Sequence, residues 1–486
     1  MTYTPVTPIV TARLQAHADS YTLQRALATG GYDALRTALT RTPEEVHESV
    51  KVAVLQGRGG AGFPAGAKWG LLPGAKYPRW LVVNGDESEP GTYKDRILME
   101  RDPHQIIEGA LICAYAIRAS EVFLYVRGEM ALAQERIATA LNEAYAAGYV
   151  GAGICGSDWS MDVTLHWGAG AYIVGDETAL LESLAGRRGM PRPKPPYFPA
   201  AIGLYDQPTI VNNIETLANL PWIVTNGGEA YAAIGSDKTN GTRLYAVSGH
   251  VRRPGTYEVE SGKVTFRDMF YDPALGGGIR EDRALKAFIP GGGSAPWFFA
   301  EHLDLPLDPT VVGPAGSMLG SGAIVAMDET TDVVRAAWRL VRFYAHESCG
   351  KCTPCREGTT WLERIYERIL AGEGRPEDLE LLADVGSNIS PGPFPGPGLA
   401  VGDKPIAPFP YKKTTICDLG PSAVSPVMST LRRFPEEYQA YIDRARRPVA
   451  LEPIAGASVG LRAPASAGAP ATAGATAAAS AGAGAH

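Results

Sequence analysis

The spacing of apolar and polar positions divides the chain into regions of different texture. Residues 1–50 carry helical periodicity, and Thr42-Pro43-Glu44-Glu45 has the pattern of a capping box opening a helix that runs towards Leu55. A glycine-dense segment, Gly57 to Gly66, then precedes the short apolar run Trp80-Leu81-Val82-Val83, which predicts a buried strand. After a polar turn, the pattern predicts a helix near His104–Arg118 and strands over Val122–Val126 and Leu165–Ile173. A helix over Glu177–Leu184 follows, and the alternation continues to about Val224. Alternating strand and helix predict an α/β domain with a largely parallel sheet, which together with the N-terminal helices spans residues 1–240.

Residues 241–330 read differently. Short runs at Leu244–Ser248, Tyr257–Val259, Ala287–Ile289 and Ala323–Met327, separated by Gly and Pro clusters, predict a small β-rich domain. From 331 to 450 the pattern turns helical, over Val333–Ala345, Thr359–Leu370, Pro376–Val385 and Ser422–Arg446, with a run of cysteines between the first two helices. Pro391–Pro410 predicts an extended, irregular loop. The tail, residues 451–486, is almost entirely Ala, Gly, Ser, Thr and Pro from Ala463 onwards. It holds no large apolar residue there to offset its ordering entropy, so disorder is expected.

Composition narrows the function classes. Of 486 residues 45% are apolar and 20% charged, as in ordinary globular proteins, and a net charge of −7 gives no electrostatic reason to expect nucleic acid. No run approaches the roughly 18 apolar residues of a membrane span, and Met1 to Val10 lacks a secretory pattern. A cytoplasmic location is expected, with any membrane association made through a partner.

The six cysteines carry the first chemical signal. Cys113 and Cys155 stand alone and read as small buried hydrophobes. Cys349, Cys352 and Cys355 form C-x-x-C-x-x-C, which can hold three corners of an iron–sulfur cube, with Cys417 available for the fourth. The alternative is a zinc site completed by His346. Zinc sites are more often built from two separated ligand pairs, so the spacing favours a [4Fe–4S] cluster.

Gly57-Arg58-Gly59-Gly60-Ala61-Gly62 matches G-x-G-x-x-G, but the segment before it is helical, so the ordinary dinucleotide fingerprint lacks its strand. Glycines there would let the backbone approach a flat or phosphorylated ligand, with Phe63, Lys68 and Trp69 adding an aromatic face and a cation. Asn84-Gly85-Asp86-Glu87-Ser88-Glu89-Pro90-Gly91 leaves the end of a predicted strand, where its carboxylates can accept hydrogen bonds from ribose or ribityl hydroxyls. Gly168 to Thr178 repeats the passage from strand through small residues and acids into a helix, and Asn212 and Asn213 add amide donors and acceptors.

Together these segments, with Gly186-Arg187-Arg188-Gly189 and Ser348 through Gly358, closely resemble the NADH-binding flavoprotein subunit (the F type) of respiratory complex I. NAD-linked hydrogenases and formate dehydrogenases share this module in their diaphorase subunits. The resemblance covers roughly residues 20–450. It implies a Rossmann-like FMN/NADH domain, a ubiquitin-like β-grasp domain and a C-terminal helical bundle holding the cluster.

It also implies FMN, one [4Fe–4S] cluster, and NADH as substrate. Gly59, Gly60, Lys68, Asn84, Asp86, Tyr172, Gly175, Asp176, Glu177, Asn212 and Asn213 would surround FMN. Phe63, Glu87, Ser88 and Glu89 would meet NADH, and Glu177 would lie near its nicotinamide end. Gly57, Arg58, Ala61, Gly62, Val211 and Thr216 complete the implied set, with Tyr197 or Phe198 stacking on adenine. No protein acid or base is required, since FMN carries the hydride transfer and Glu87 and Glu177 orient NADH. Cys349, Cys352, Cys355 and Cys417 would hold the cluster. The implied role is electron input to an NADH:quinone oxidoreductase, on the cytoplasmic side of its peripheral arm. The implied partners are a thioredoxin-like [2Fe–2S] subunit and a large iron–sulfur subunit. A diaphorase subunit of a soluble hydrogenase or formate dehydrogenase is the second expectation, and a zinc-stabilised nucleotide-binding scaffold without redox activity the third.

Overall fold

Four short apolar runs pair into one parallel sheet. β1 (Trp80–Gly85), β2 (Glu121–Val126), β3 (Val163–Trp167) and β4 (Thr209–Asn213) lie in the order β3-β2-β1-β4. Leu81, Val82 and Val83 are fully buried, as parallel strands covered on both faces must be. The chain steps outward from β1 to β3 and then returns to add β4 on the other side of β1. That reversal makes a topological switch point, and the register sets Asn84 of β1 beside Asn213 of β4 there. The computed structural model describes residues 7–74, 76–237, 239–391 and 413–446.

The helix Pro103–Ile117 packs behind this sheet and is buried along nearly its whole length. Asp102 caps its start by accepting from Gln105 N, and Pro103 fits the first turn, where no amide donor is needed. Gly109 brings this helix against the following chain: a Cβ there would sit 2.1 Å from the carbonyl oxygen of Leu217.

Two features of this domain differ from the pattern-based expectation. The third strand occupies Val163–Trp167 rather than Leu165–Ile173, and Tyr172–Gly175 form a single 3-10 turn. Gly168 and Gly170 end the strand, since a Cβ on Gly168 would meet the Tyr125 ring and Gly170 has φ +77°. The helix Lys94–Arg101 has five charged residues in eight, so no apolar stripe announces it.

A small hairpin of β5 (Gly235–Ser236) and β6 (Thr239–Asn240) leads into the second sheet. β7 (Thr242–Gly249), β8 (Gly255–Glu260), β9 (Leu285–Ile289) and β10 (Ala323–Asp328) lie in the order β8-β7-β10-β9. The central pair β7–β10 is parallel and both flanks are antiparallel, which is the arrangement expected of a β-grasp sheet. One helix, Phe266–Tyr271, opens with a capping box between Thr265 and Asp268 and buries Phe266 and Phe270.

The helices Val333–Glu347, Thr353–Leu370, Glu377–Ile389, Leu419–Arg433 and Pro435–Arg446 form the last layer, around Val341, Leu362, Tyr366, Leu382 and Val427. The second begins six residues earlier than the expected Thr359, because Pro354 suits a helical first turn. Cys352 is therefore its N-cap and Cys355 lies inside it, rather than the whole run sitting between helices. The expected single helix Ser422–Arg446 is two, divided at Phe434 where Pro435 starts a new helix. The expectations for Pro391–Pro410, beyond Pro391 itself, and for the tail fall outside the described residues. Among the described residues no helix is long and apolar enough to cross a membrane.

Gly109→Ala should destabilise the chain by about 3 kcal/mol, because the new methyl meets a backbone carbonyl rather than a flexible side chain. Urea unfolding measures this. A change within ~0.5 kcal/mol would show that the helix can shift without cost.

Candidate functional site

Beyond the carboxyl ends of β1 and β4 lies a cavity of about 560 Å³, a size usual for cofactor pockets. The glycine loop reaches it from the helical side: Gly59, Gly60 and Ala61 line one wall, opposite Asn84, Asp86, Tyr172 and Gly175. Gly59 passes so close to the switch point that a Cβ would stand 3.2 Å from Cβ of Asn213, and Gly60 has φ +129°. Turns beside the second sheet close the cavity with Ser294, Met318, Gly320 and Ser321, and the bundle with Cys417, Asp418, Leu419 and Ser422.

The acidic turn after β1 faces inward. Asp86, Glu87 and Ser88 are 8%, 7% and 8% exposed, so this is not a solvated turn. Asn84 Nδ2 donates to the carbonyl of Gly175 (3.1 Å), and Asn84 Oδ1 accepts from Asp86 N (3.0 Å). Ser88 Oγ donates to Asp86 Oδ2 (2.9 Å). Asp86 Oδ1 is buried and has no hydrogen-bond partner within the protein. A buried carboxylate oxygen facing a cavity calls for a donor from a ligand, and a ribityl hydroxyl supplies one. Burial pushes the Asp86 carboxyl up to about 7.

Glu87 and Glu89 are held by other elements. Both oxygens of Glu87 accept from the first turn of the helix Lys94–Arg101, at Asp95 N (2.8 Å) and Arg96 N (2.9 Å). Burial, together with the nearby Asp95 carboxylate, raises Glu87 to about 7. Glu89 accepts from Tyr172 Oη (2.8 Å) and from Ser294 N (2.6 Å), with the Tyr344 hydroxyl at 3.5 Å. One carboxylate thus touches the turn before Asp176, the turns around the second sheet and the bundle.

Several residues expected at the cofactor do not line this cavity. The Arg58 guanidinium points away and donates to the carbonyls of Asn240 (3.0 Å) and Thr242 (2.8 Å), while Arg58 N donates to Thr216 Oγ1 (2.9 Å). Both residues tie the glycine loop down, although backbone around Arg58 still borders the cavity. Asn212, in the orientation that satisfies its amide, accepts from Trp69 Nε1 and donates to the carbonyl of Val211. Lys68 Nζ donates to Glu177 Oε2 (2.7 Å) and to the carbonyl of Val211 (2.9 Å). Burial would raise Glu177, but Lys68 and Lys194 together pull it down to about 2. Phe63 and Phe198 are exposed, Tyr197 lies under the Arg192 guanidinium, and Gly57 and Gly62 sit at the base of the loop outside the cavity wall.

Other residues at the site had no signal in the pattern. Lys194, whose Nζ donates to Glu177 Oε1 (2.7 Å), sits in a Pro-rich stretch that suggests only a loop. Ser294, Gly320 and Ser321 come from turns beside the second sheet, and Lys94 and Asp95 from a helix start that looks solvent-facing.

The four cysteines share one apolar cluster with Tyr172, Leu180 and Leu419. Burial pushes Cys355 up to about 11 and Cys417 up to about 12, with the neighbouring thiols adding to both shifts. Thiols in such a place are held as thiolates only by a positive centre, which an iron–sulfur core supplies. Cys417 borders the cavity as well, so the thiol cluster and the cavity share a wall. His346, the ligand of the zinc alternative, has a side chain 83% exposed and lies beside Glu347. Among the described residues no three His, Cys, Asp or Glu side chains converge closely enough for a single metal ion.

Comparisons with known proteins agree with this geometry. The Nuo51 FMN-binding domain model matches residues 50–222, and the NADH-ubiquinone oxidoreductase-F iron-sulfur binding region matches residues 335–396. The F-type subunit of NADH-quinone oxidoreductase in Mycobacterium tuberculosis (H37Rv) is 48% identical, over 90% of this chain and 94% of its own. Its counterpart in Streptomyces coelicolor is 48% identical over 87% and 89%. Among solved structures, an NAD+-reducing [NiFe]-hydrogenase in the H2-reduced state is similar with TM-score 0.72 and 32% identity, over 90% of this chain and 67% of that one. With an FMN-binding region, an iron–sulfur region and relatives matched over nearly their whole length, the chain belongs to the family of F-type subunits of NADH-quinone oxidoreductase and is an NADH-oxidising, electron-input subunit.

Proposed function

We propose that FMN occupies the cavity at the β1/β4 switch point and that the [4Fe–4S] cluster sits behind its Cys417 wall, bound by Cys349, Cys352, Cys355 and Cys417. The observation that carries this reading is the shared wall: Cys417 borders the same cavity as Gly59, Asn84 and Asp86. The chemistry supplied by the bound groups is hydride acceptance from NADH at FMN and single-electron transfer through the cluster. The protein's part is binding and orientation. Asp86 Oδ1 accepts a hydroxyl of the cofactor, and Gly59 and Gly60 admit a flat ring against the backbone. Asn84 and Asn213 frame the switch point, while Glu89 holds three domains around the site. Glu87 lines the cavity beside the NADH path, where its carboxylate favours a ribose hydroxyl over a 2′-phosphate. The Lys68–Glu177–Lys194 ion triad lies outside the cavity wall, next in the chain to the cavity residue Asp176, and from there Glu177 would orient the nicotinamide end.

We further propose that residues 1–240, 241–330 and 331–450 act as the cofactor, β-grasp and cluster domains. Electrons would leave through the cluster to a thioredoxin-like [2Fe–2S] subunit and a large iron–sulfur subunit in the peripheral arm of a membrane complex. The relatives are named as subunits of a quinone-reducing oxidoreductase, which supports membership of such an assembly. The likeness to an NAD+-reducing hydrogenase keeps a diaphorase role as the second reading, but identity is 32% there against 48% for the quinone-reducing relatives.

Asp86→Ala should weaken FMN binding about 10- to 100-fold, the worth of a hydrogen bond to a charged group, as read by flavin fluorescence during dialysis. Unchanged retention would remove Asp86 from the site. The raised Asp86 carboxyl also has a pH signature in the FMN-free chain. Its folded state keeps a proton that the unfolded state releases, so its stabilising contribution is present below about pH 4 and is lost as pH rises to about 7. Asp86→Asn should therefore lose less stability between pH 4 and pH 7 than the parent; equal losses would contradict the burial argument.

Cys417→Ser should abolish or strongly deplete the cluster, lowering bound iron from about four per chain, whereas Cys113→Ser should leave it intact. A full complement of iron in Cys417→Ser would assign the fourth ligand elsewhere.

A further inference from the structure

Lys94 places a cation on the floor of the cavity that neither the acidic turn nor the glycine loop accounts for. It is 1% exposed, opens the helix Lys94–Arg101, and lines the cavity together with Asp95. Its Nζ lies 2.9 Å from Asp95 Oδ1 and 2.8 Å from Glu215 Oε2, and both carboxylates are themselves buried. The Glu87 carboxyl faces the same group. Burial would lower the Lys94 ammonium, but Asp95 and Glu215 hold it above its ordinary value, so it stays charged.

The group is wired to the site on one side and to the second sheet on the other. Asp95 Oδ2 accepts from Asn213 Nδ2 (2.7 Å), and Asn213 Oδ1 accepts from Glu215 N (3.0 Å). The amide of Asn213, a cavity residue, is therefore fixed in one orientation. Glu215 Oε1 accepts from Leu244 N on β7 (2.8 Å). A buried ion cluster of this kind is costly to assemble, and a hydrophobic replacement would often stabilise the fold as well. Its position suggests an electrostatic purpose.

We propose that Lys94 is a positioning residue whose ammonium, held by Asp95 and Glu215, sets the reduction potential of FMN in this cavity. Charge near the ring is one of the means by which a protein tunes a flavin. Lys94, Asp95 and Glu215 together carry one positive and two negative charges. Flavin gains electron density on reduction, so removing the cation disfavours the reduced form and removing a carboxylate favours it.

This inference rests on FMN occupying the cavity, and the test separates the two. The ratio of affinities for reduced and oxidised FMN, equivalent by linkage to the midpoint potential, is measured on the purified full-length chain. Lys94→Met should shift that ratio on the order of tenfold against reduced FMN, moving the potential to more negative values. Glu215→Gln, which leaves Lys94 and Asp95 as a neutral pair in place of a net negative cluster, should shift it the opposite way. Lys94→Met/Glu215→Gln restores the wild-type net charge and should return the ratio to within about threefold of wild type. If Lys94→Met does not fold, the opposite shift in Glu215→Gln and the restored ratio in the double variant still carry the test. FMN bound with an unchanged ratio in Lys94→Met or Glu215→Gln, or a double variant that keeps a full shift, would overturn the role of Lys94. A wild-type chain that takes up no FMN would overturn the reading beneath it.

Discussion

The structure depends on turning the acidic segment after β1 inward. Asn84, Asp86, Glu87, Ser88 and Glu89 bring more acceptors into a buried place than the segment itself can satisfy, and an unpaired buried acceptor is costly. Two of the carboxylates are answered by other parts of the chain. Glu87 takes the first amides of the helix Lys94–Arg101, and Glu89 takes Tyr172 and Ser294. The two sheets and the bundle are thus drawn together around one set of carboxylates, and the cavity is the space left among them. The acceptor that the protein leaves over, Asp86 Oδ1, is the one a cofactor would use.

The same constraint brings the cavity and the thiols together. Tyr172 lines the cavity, while its backbone N donates to Glu347 Oε2 (3.0 Å), two residues before Cys349. The rings of Tyr172, Phe343 and Tyr344 meet edge-on at 5.3–5.6 Å, packing the first bundle helix against the turn that precedes Asp176. Cys417, just before the helix Leu419–Arg433, borders the cavity directly.

Local chemistry made much of this legible in the sequence. The apolar run at Trp80–Val83, the capping box at Thr42 and the cysteine spacing each depend on neighbours within a few positions, and each has its counterpart in the fold. Side-chain destinations depend on tertiary contacts and were less accessible. Arg58 sits inside the glycine motif yet binds carbonyls of the β6–β7 segment, and Lys68 pairs with Glu177. Lys94 looks like a solvated helix start because its two partners, one adjacent and one on a helix after β4, give no periodic signal. The early start of the Thr353 helix follows from Pro354, which suits a first turn but adds nothing to the apolar periodicity.

Electron transfer from NADH through the flavin to the iron–sulfur cluster is the step on which the proposed site depends. The most direct measurement is the anaerobic optical spectrum of the purified, FMN-loaded protein before and after NADH. Flavin absorbance should bleach, and the broad thiolate-to-iron absorbance should fall with it. Flavin bleaching with an unreduced cluster, or zinc in place of iron, would contradict it.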